Sequence, residues 1–192
     1  MNASQKVAVI TGSHKGLGLA IAVKLALKTD LRIIITSRNE NDGLAARQRL
    51  AEEGRDVDYR TLDVDNDSSV ARFAKWLIDT YGRVDVLINN AGINPTAQQD
   101  EADMLTARAE TMMSTFSTNV LAAHCITQAL VPLMQKNNYG RIVNVSSEMA
   151  SLASTPRTSP VSTWAPSRAG ASAPSSPKVG AQAVPSMTSC QS

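Results

Sequence analysis

Four short apolar runs set the frame for this chain: KVAVIT at 6–11, LRIIITS at 31–37, VDVLINN at 84–90 and GRIVNVS at 140–146. Each has strand length, is rich in β-branched residues and is close to continuously apolar, the pattern of a strand buried on both faces. Between them lie helical patterns. Residues 17–28 carry helix formers with an apolar face, and residues 42–53 predict a helix with Leu44 and Leu50 inward. VDYRTLDV at 57–64 alternates as a further strand before turning polar. After Asp67, a stripe of Val70, Phe73, Ala74, Leu77 and Ile78 predicts another helix, and residues 101–118 and 119–137 predict two long ones. Strands alternating with helices of this length build βαβ units: an α/β fold with a doubly wound parallel sheet and helices on both faces. No internal repeat is present.

The stretch TGSHKGLG (11–18) joins the first strand to the first helix. Gly12 suits a tight turn, Gly16 a close backbone approach to a pyrophosphate, and Gly18 close packing of the helix. The helix start adds N–H donors and the positive end of its dipole. The spacing G-x-x-x-G-x-G at a strand-to-helix turn predicts nucleotide binding. A purely structural turn is the alternative.

This order stops near residue 150. Residues 151–192 hold 11 Ser and six of the eight Pro, and lack Phe, Tyr, Ile, Asp and Glu. Such a stretch buries too little apolar surface to offset the entropy of ordering, and its prolines interrupt any long helix. The expected organisation is a nucleotide-binding domain over 1–150 and a disordered Ser/Pro/Ala-rich tail over 151–192. Charge divides at the same place. Residues 1–150 carry 16 Lys and Arg against 17 Asp and Glu, a net −1, while three cations and no acid leave the tail at +3. The small basic excess therefore sits in the tail and is not the clustered footprint of a nucleic-acid-binding face. No run reaches the roughly 18–20 apolar residues of a membrane span. The N-terminus lacks the pattern of a secretory signal. Two cysteines without metal-type spacing fit a reducing compartment, so the expected location is cytoplasmic.

TGSHKGLG, the LDV of 62–64, NNAG at 89–92, STNV at 117–120 and the NVSS that ends the fourth run occur in an order and at intervals that resemble the short-chain dehydrogenase/reductase family. The resemblance covers about residues 5–150. TSRN after the second run and the VPLM helix end resemble its carbonyl-reductase-like members. It implies a Rossmann-type domain and an oxidoreductase that moves hydride between NAD(P)(H) and small-molecule carbonyls or alcohols. By position it implies that Gly12, Lys15, Gly16, Leu17 and Gly18 cradle the cofactor phosphates. Asp63 would accept from the adenine amino group, with Val64 lining that pocket. Asn90, Ala91 and Gly92 would lie on the ribose side. For Asp63 the alternative is a turn aspartate. For NNAG it is a sheet-terminating turn bonded to Thr11, which is compatible with the binding role.

Cofactor choice follows from charge. Preference for the unphosphorylated dinucleotide needs a carboxylate at the end of the second strand. Here Ser37 stands there, followed by Arg38, with Lys15 beside the glycine loop. Two cations and no acid favour a 2′-phosphate, hence NADP(H).

On the substrate side the resemblance implies that Asn119 holds a lysine-and-water relay and that Ser147 hydrogen-bonds the substrate oxygen. Capping and backbone satisfaction are their structural alternatives. The family's next element is Tyr-x-x-x-Lys, whose Lys lowers the pKa of a proton-donating Tyr. Tyr59, Tyr81 and Tyr139 all precede Ser147, and the sequence contains no Tyr-x-x-x-Lys. WAPSRAG at 164–170 is the nearest echo, with Trp164 and Arg168 in those places; an indole is no acid at neutral pH. A C-terminus read in a different frame from about residues 150–156 accounts for the break. The alternative to a working reductase is thus an inactive dinucleotide-binding remnant or an interaction protein. A homo-oligomer, implied by the family, would lack one of its two interface helices and leave the apolar face of 119–137 unpaired. GRIVNVS would lie near a sheet edge. Met104, Met112, Met113, Met134, His124 and Cys125 are expected to pack within helices, and His14 has no assigned role.

Overall fold

The computed structural model describes residues 5–94 and 108–147. Contacts divide the chain into two units, Met1–Val145 and Ser146–Ser192, and of the second only residues 146 and 147 are described. The elements of the first are β1 (Val7–Ile10), α1 (Gly16–Lys28), β2 (Arg32–Ser37), α2 (Glu40–Glu52), β3 (Val57–Thr61), α3 (Asp67–Tyr81), β4 (Val86–Asn89), α4 (Ala109–Phe116), α5 (Ala122–Lys136) and β5 (Arg141–Asn144). The five strands form one sheet in the order β3-β2-β1-β4-β5, and every pair is parallel. This is the doubly wound α/β architecture that the alternating runs predict.

Period-two geometry sends successive side chains to opposite faces. Val7, Val9 and Ile34 pack with Phe73 and Leu77 of α3 and with Ile126, Leu130 and Leu133 of α5. Ala8, Ile10, Ile33 and Ile35 pack with Ala22 of α1 and with Ala46 and Leu50 of α2. Two cores thus sandwich the central strands, and removing apolar area from water at about 25 cal/mol per Å² holds the layers together. Among the described residues the one acid sealed inside is Asp85. Its carboxylate accepts from the Val7 amide at 2.8 Å and pairs with Arg83 at 2.7 Å, so the buried charge is compensated.

Several expectations need correction. Leu44 and Ile78 are 46% and 53% exposed. In α2 the inward position is Gly43, whose missing side chain admits the Tyr59 ring: a Cβ there would lie 1.9 Å from Tyr59 Cε2. The helix is rotated so that Gly43, Ala46 and Leu50 face the sheet. In α3 the cap is Asn66, which accepts from the Ser69 amide at 2.8 Å, and the buried positions are Ser69, Val70, Phe73 and Leu77. The predicted pair of helices at 101–118 and 119–137 runs without a break from 109 to 136, with one wide π turn at Ser117–Leu121 between α4 and α5; residues 101–107 lie outside the described ones. Met134 is buried, but Met112 and Met113 are not, and His124 is exposed. Apolar exposure falls on Met112, Met113, Phe116 and Val120 rather than along the whole of 119–137. Among the described strands β5 is the edge opposite β3, as expected for GRIVNVS.

Candidate functional site

In a parallel sheet the chain leaves β1 and β4 in opposite directions, which opens a crevice at the carboxyl ends of those strands. Here Thr11 and Asn90 face each other across it. The Asn90 and Ala91 amides both donate to Thr11 Oγ1 at 2.9 Å, and Asn90 Nδ2 donates to the carbonyls of Thr11 (2.9 Å) and Gly12 (3.1 Å). The turn expected of NNAG is therefore present. The glycine turn is also tied sideways to β2. Ser13 N donates to Thr36 O at 2.8 Å and Thr36 N to Ser13 Oγ at 2.9 Å, while the Gly12 amide reaches Thr36 Oγ1 at 3.2 Å.

Two glycines are required by space. Gly12 has φ +60°, and a Cβ on it would lie 2.9 Å from Ala91 Cα. At Gly18 a Cβ would lie 2.4 Å from Asn90 Nδ2. α1 then starts at Gly16 with no side-chain cap and no acid in its first turn, so its first N–H groups face outward unclaimed by a cap.

A cleft of about 670 Å³ opens over this turn. Its wall includes Gly12, Lys15, Leu17 and Gly18 from the glycine loop, Ser37 and Arg38 from the end of β2, Asp63 and Val64 after β3, and Asn90, Ala91 and Gly92 after β4. Of the residues expected to hold a cofactor, only Gly16 is absent from the wall. It has φ +58° and no heavy atom within 4 Å of a Cβ built on it. Asp63 is partly engaged: its Oδ1 accepts from the Asp65 amide at 3.2 Å and its own amide donates to Ser69 Oγ at 3.0 Å.

The structure adds residues that sequence reasoning did not single out. Asn39 and Asp42, the cap and third residue of α2, line the cleft beside Arg38, and Asn39 Oδ1 accepts from the Asp42 amide at 3.2 Å. The pattern N-x-x-D at the end of a strand was the available signal for a helix start here. His14 also lines the cleft, and its Nδ1 is shielded and has no hydrogen-bond partner among the described residues. Burial and the Lys15 charge hold its pKa below the ordinary histidine value; Asp42 opposes this and Arg38 adds to it.

Asn119 lies on the π turn, exposed, and does not line the cleft wall. Both polar atoms of its amide are engaged with the backbone of one residue: Ile93 N donates to Oδ1 at 2.8 Å, and Nδ2 donates to Ile93 O at 3.0 Å. Its neighbour Thr118 is buried and donates to Asp65 Oδ2 at 2.9 Å, joining the π turn to the loop that carries Asp63. Ser147 is exposed and belongs to the second unit. Trp164, Arg168, Met104 and the tail 151–192 lie outside the described residues. No helix of the described residues is long and apolar enough to cross a membrane, and they hold no cluster of metal-type ligands.

Residues 6–163 match the short chain dehydrogenase family model. The chain is 36% identical over 147 residues to a carbonyl reductase (NADPH) 1 of Mus musculus, covering 77% of this chain and 50% of that one. It is 34% identical to a short-chain dehydrogenase/reductase 1 of Saponaria officinalis, covering 80% and 57%. The chain thus spans about half the length of the curated relatives it matches. Among solved structures it resembles a metagenomic short-chain oxidoreductase in complex with NADP, with TM-score 0.65, 28% identity, and coverage of 76% and 64%. A menthone neomenthol reductase from Mentha piperita superposes with TM-score 0.66 and 32% identity, covering 77% and 62%.

Proposed function

This chain belongs to the short-chain dehydrogenase family, and from that premise we propose that its first unit holds NADP(H) in the cleft over the glycine turn. The supporting observation is the charge of the wall. Ser37 ends β2 where a carboxylate would otherwise receive a ribose hydroxyl, and Lys15 and Arg38 stand on the same wall. Asp42 brings one carboxylate, but from the third position of α2 rather than from the strand end. The uncapped start of α1, where Gly16 carries no side chain, also offers N–H donors to a pyrophosphate. Carbonyl reductases labelled for NADPH among the relatives, and NADP in a similar solved structure, agree with this reading.

When bound, the nicotinamide supplies or accepts the hydride of a carbonyl/alcohol interconversion. The roles of this chain's residues divide by end of the cleft. Lys15 and Arg38 take the extra phosphate, as cations matched to a dianion. Asp63 and Val64 take the adenine, and Asn90, Ala91 and Gly92 the ribose side. Off the cleft wall, Asn119 fixes the backbone of Ile93, and Ser147, by the family pattern, would donate a hydrogen bond to a substrate oxygen.

A proton must also reach that oxygen. The 192 residues hold no Tyr-x-x-x-Lys, and Trp164 and Arg168 cannot replace its acid. We therefore assign this chain binding of the dinucleotide without turnover. A fluorescence titration should show NADPH binding at least about tenfold tighter than NADH, the equivalent of about 1.4 kcal/mol. NADPH oxidation with quinones and aldehydes should stay at background. Equal affinity for the two dinucleotides, or robust reduction, overturns the assignment.

A further inference from the structure

The phosphate end of the cleft contains one group that the reading above leaves idle. His14 precedes Lys15 in the glycine loop and shares the cleft wall with Lys15, Arg38, Asn39 and Asp42. Its Nδ1 is shielded from water and has no hydrogen-bond partner among the described residues. A ring nitrogen removed from water and left unpaired is costly, and the ring it belongs to stands on the cleft wall among cations, where the negative charge of a bound anion would favour its protonated form. The chemistry of imidazole then adds something that Lys15 and Arg38 cannot. They carry full charge throughout the neutral range, whereas histidine changes charge within it.

We propose that His14 is a third anchor for the ligand's terminal phosphate, and that it takes up a proton as the phosphate binds. This rests on the assignment of NADP(H) to the cleft and extends it to a pH-dependent selectivity. Without ligand, burial and Lys15, with Arg38 adding to them, hold the ring's pKa below the ordinary histidine value, and among the described residues Asp42 is the acid that favours the proton. Two negative charges arriving beside Lys15 and Arg38 reverse that balance. The sign follows from linkage. A base whose pKa is higher in the complex than in the free protein strengthens binding as pH falls through the bound value, and the gain levels off below the free value. The unphosphorylated dinucleotide brings no such charge to this end, so its affinity should not respond through His14.

The test is calorimetry of NADP⁺ and NAD⁺ binding to the full chain between pH 8 and pH 6, in two buffers of different ionisation enthalpy. Wild type is compared with His14→Gln, and with His14→Asn in case the longer amide perturbs folding. Circular dichroism verifies the fold of each variant. The phosphate of the ligand also titrates in this range, and the comparison between proteins cancels it. We expect NADP⁺ affinity to gain about three- to tenfold more on acidification in wild type than in either variant, since one pKa unit corresponds to tenfold. Proton uptake should be correspondingly larger, and NAD⁺ should show no difference between the proteins. Parallel NADP⁺ profiles in wild type and variants would overturn the role of His14 while leaving the NADP(H) assignment intact. Failure of wild type to bind NADP⁺ at any pH would overturn both.

Discussion

The two edge strands of the sheet, β3 and β5, differ sharply in how they are held. β3 pairs with β2 over five residues and receives α2 against it: Val57 is 2% exposed and the Tyr59 ring fills the gap left by Gly43. Its Asp58 accepts from Arg32 of β2 at 2.8 Å and from the Tyr81 hydroxyl at the end of α3, so three elements meet on one carboxylate. β5 pairs with β4 over four residues and has comparable β-branched chemistry, yet all its residues are exposed, Ile142 by 42% and Val143 by 46%. A β-branched run is enough to form a parallel strand; burial requires a second layer over each face. β3 has that cover among the described residues and β5 does not.

Substitutions at three positions break or sharpen this contrast. The largest effect is expected at Asp58→Ala, which leaves the Tyr81 hydroxyl and part of the Arg32 guanidinium without their acceptor and should lower unfolding free energy by about 2–4 kcal/mol in urea titrations. The same carboxylate gives an acid signature. Burial pushes Asp58 up, but its hydrogen bonds from Arg32 and Tyr81 outweigh this and hold it below the ordinary carboxylate value. Its contribution is therefore complete above about pH 4 and lost as pH falls through the lowered folded value; Asp58→Asn should flatten that part of the stability profile. Gly43→Ala comes next, at about 1–3 kcal/mol, because the added methyl meets the Tyr59 ring. Smallest is Val143→Ala on β5, expected within about 0.5 kcal/mol. A cost there as large as that at Asp58 would mean that β5 is covered after all, and the contrast would fall.

Much of the fold was readable because its signals are local and redundant. Each central strand is apolar at successive positions, and Thr11–Gly18 marks a strand-to-helix turn whatever surrounds it. The cleft wall was readable for the same reason, since the carboxyl ends of β1–β4 carry it. What escaped was set by partners distant in sequence. Leu44 is a better core residue than Gly43 in isolation, and only the Tyr59 ring, sixteen residues on, reverses their roles. The π turn at Ser117–Leu121 leaves no trace in periodicity, and the Thr118–Asp65 bond joins residues 53 apart. Met112 and Met113 fit an apolar helix face equally well whether or not anything lies against it. His14 attracted no role because an unpaired nitrogen becomes visible only once its neighbours are in place.

The grip of Asn119 on Ile93 has a diagnostic consequence. An amide that holds the N–H and C=O of one residue together makes the pair of bonds a neighbouring strand would make, and it does so next to Gly92 on the cleft wall. Truncating that side chain would release the backbone leaving β4. Impaired dinucleotide binding in such a variant would report a slackened scaffold.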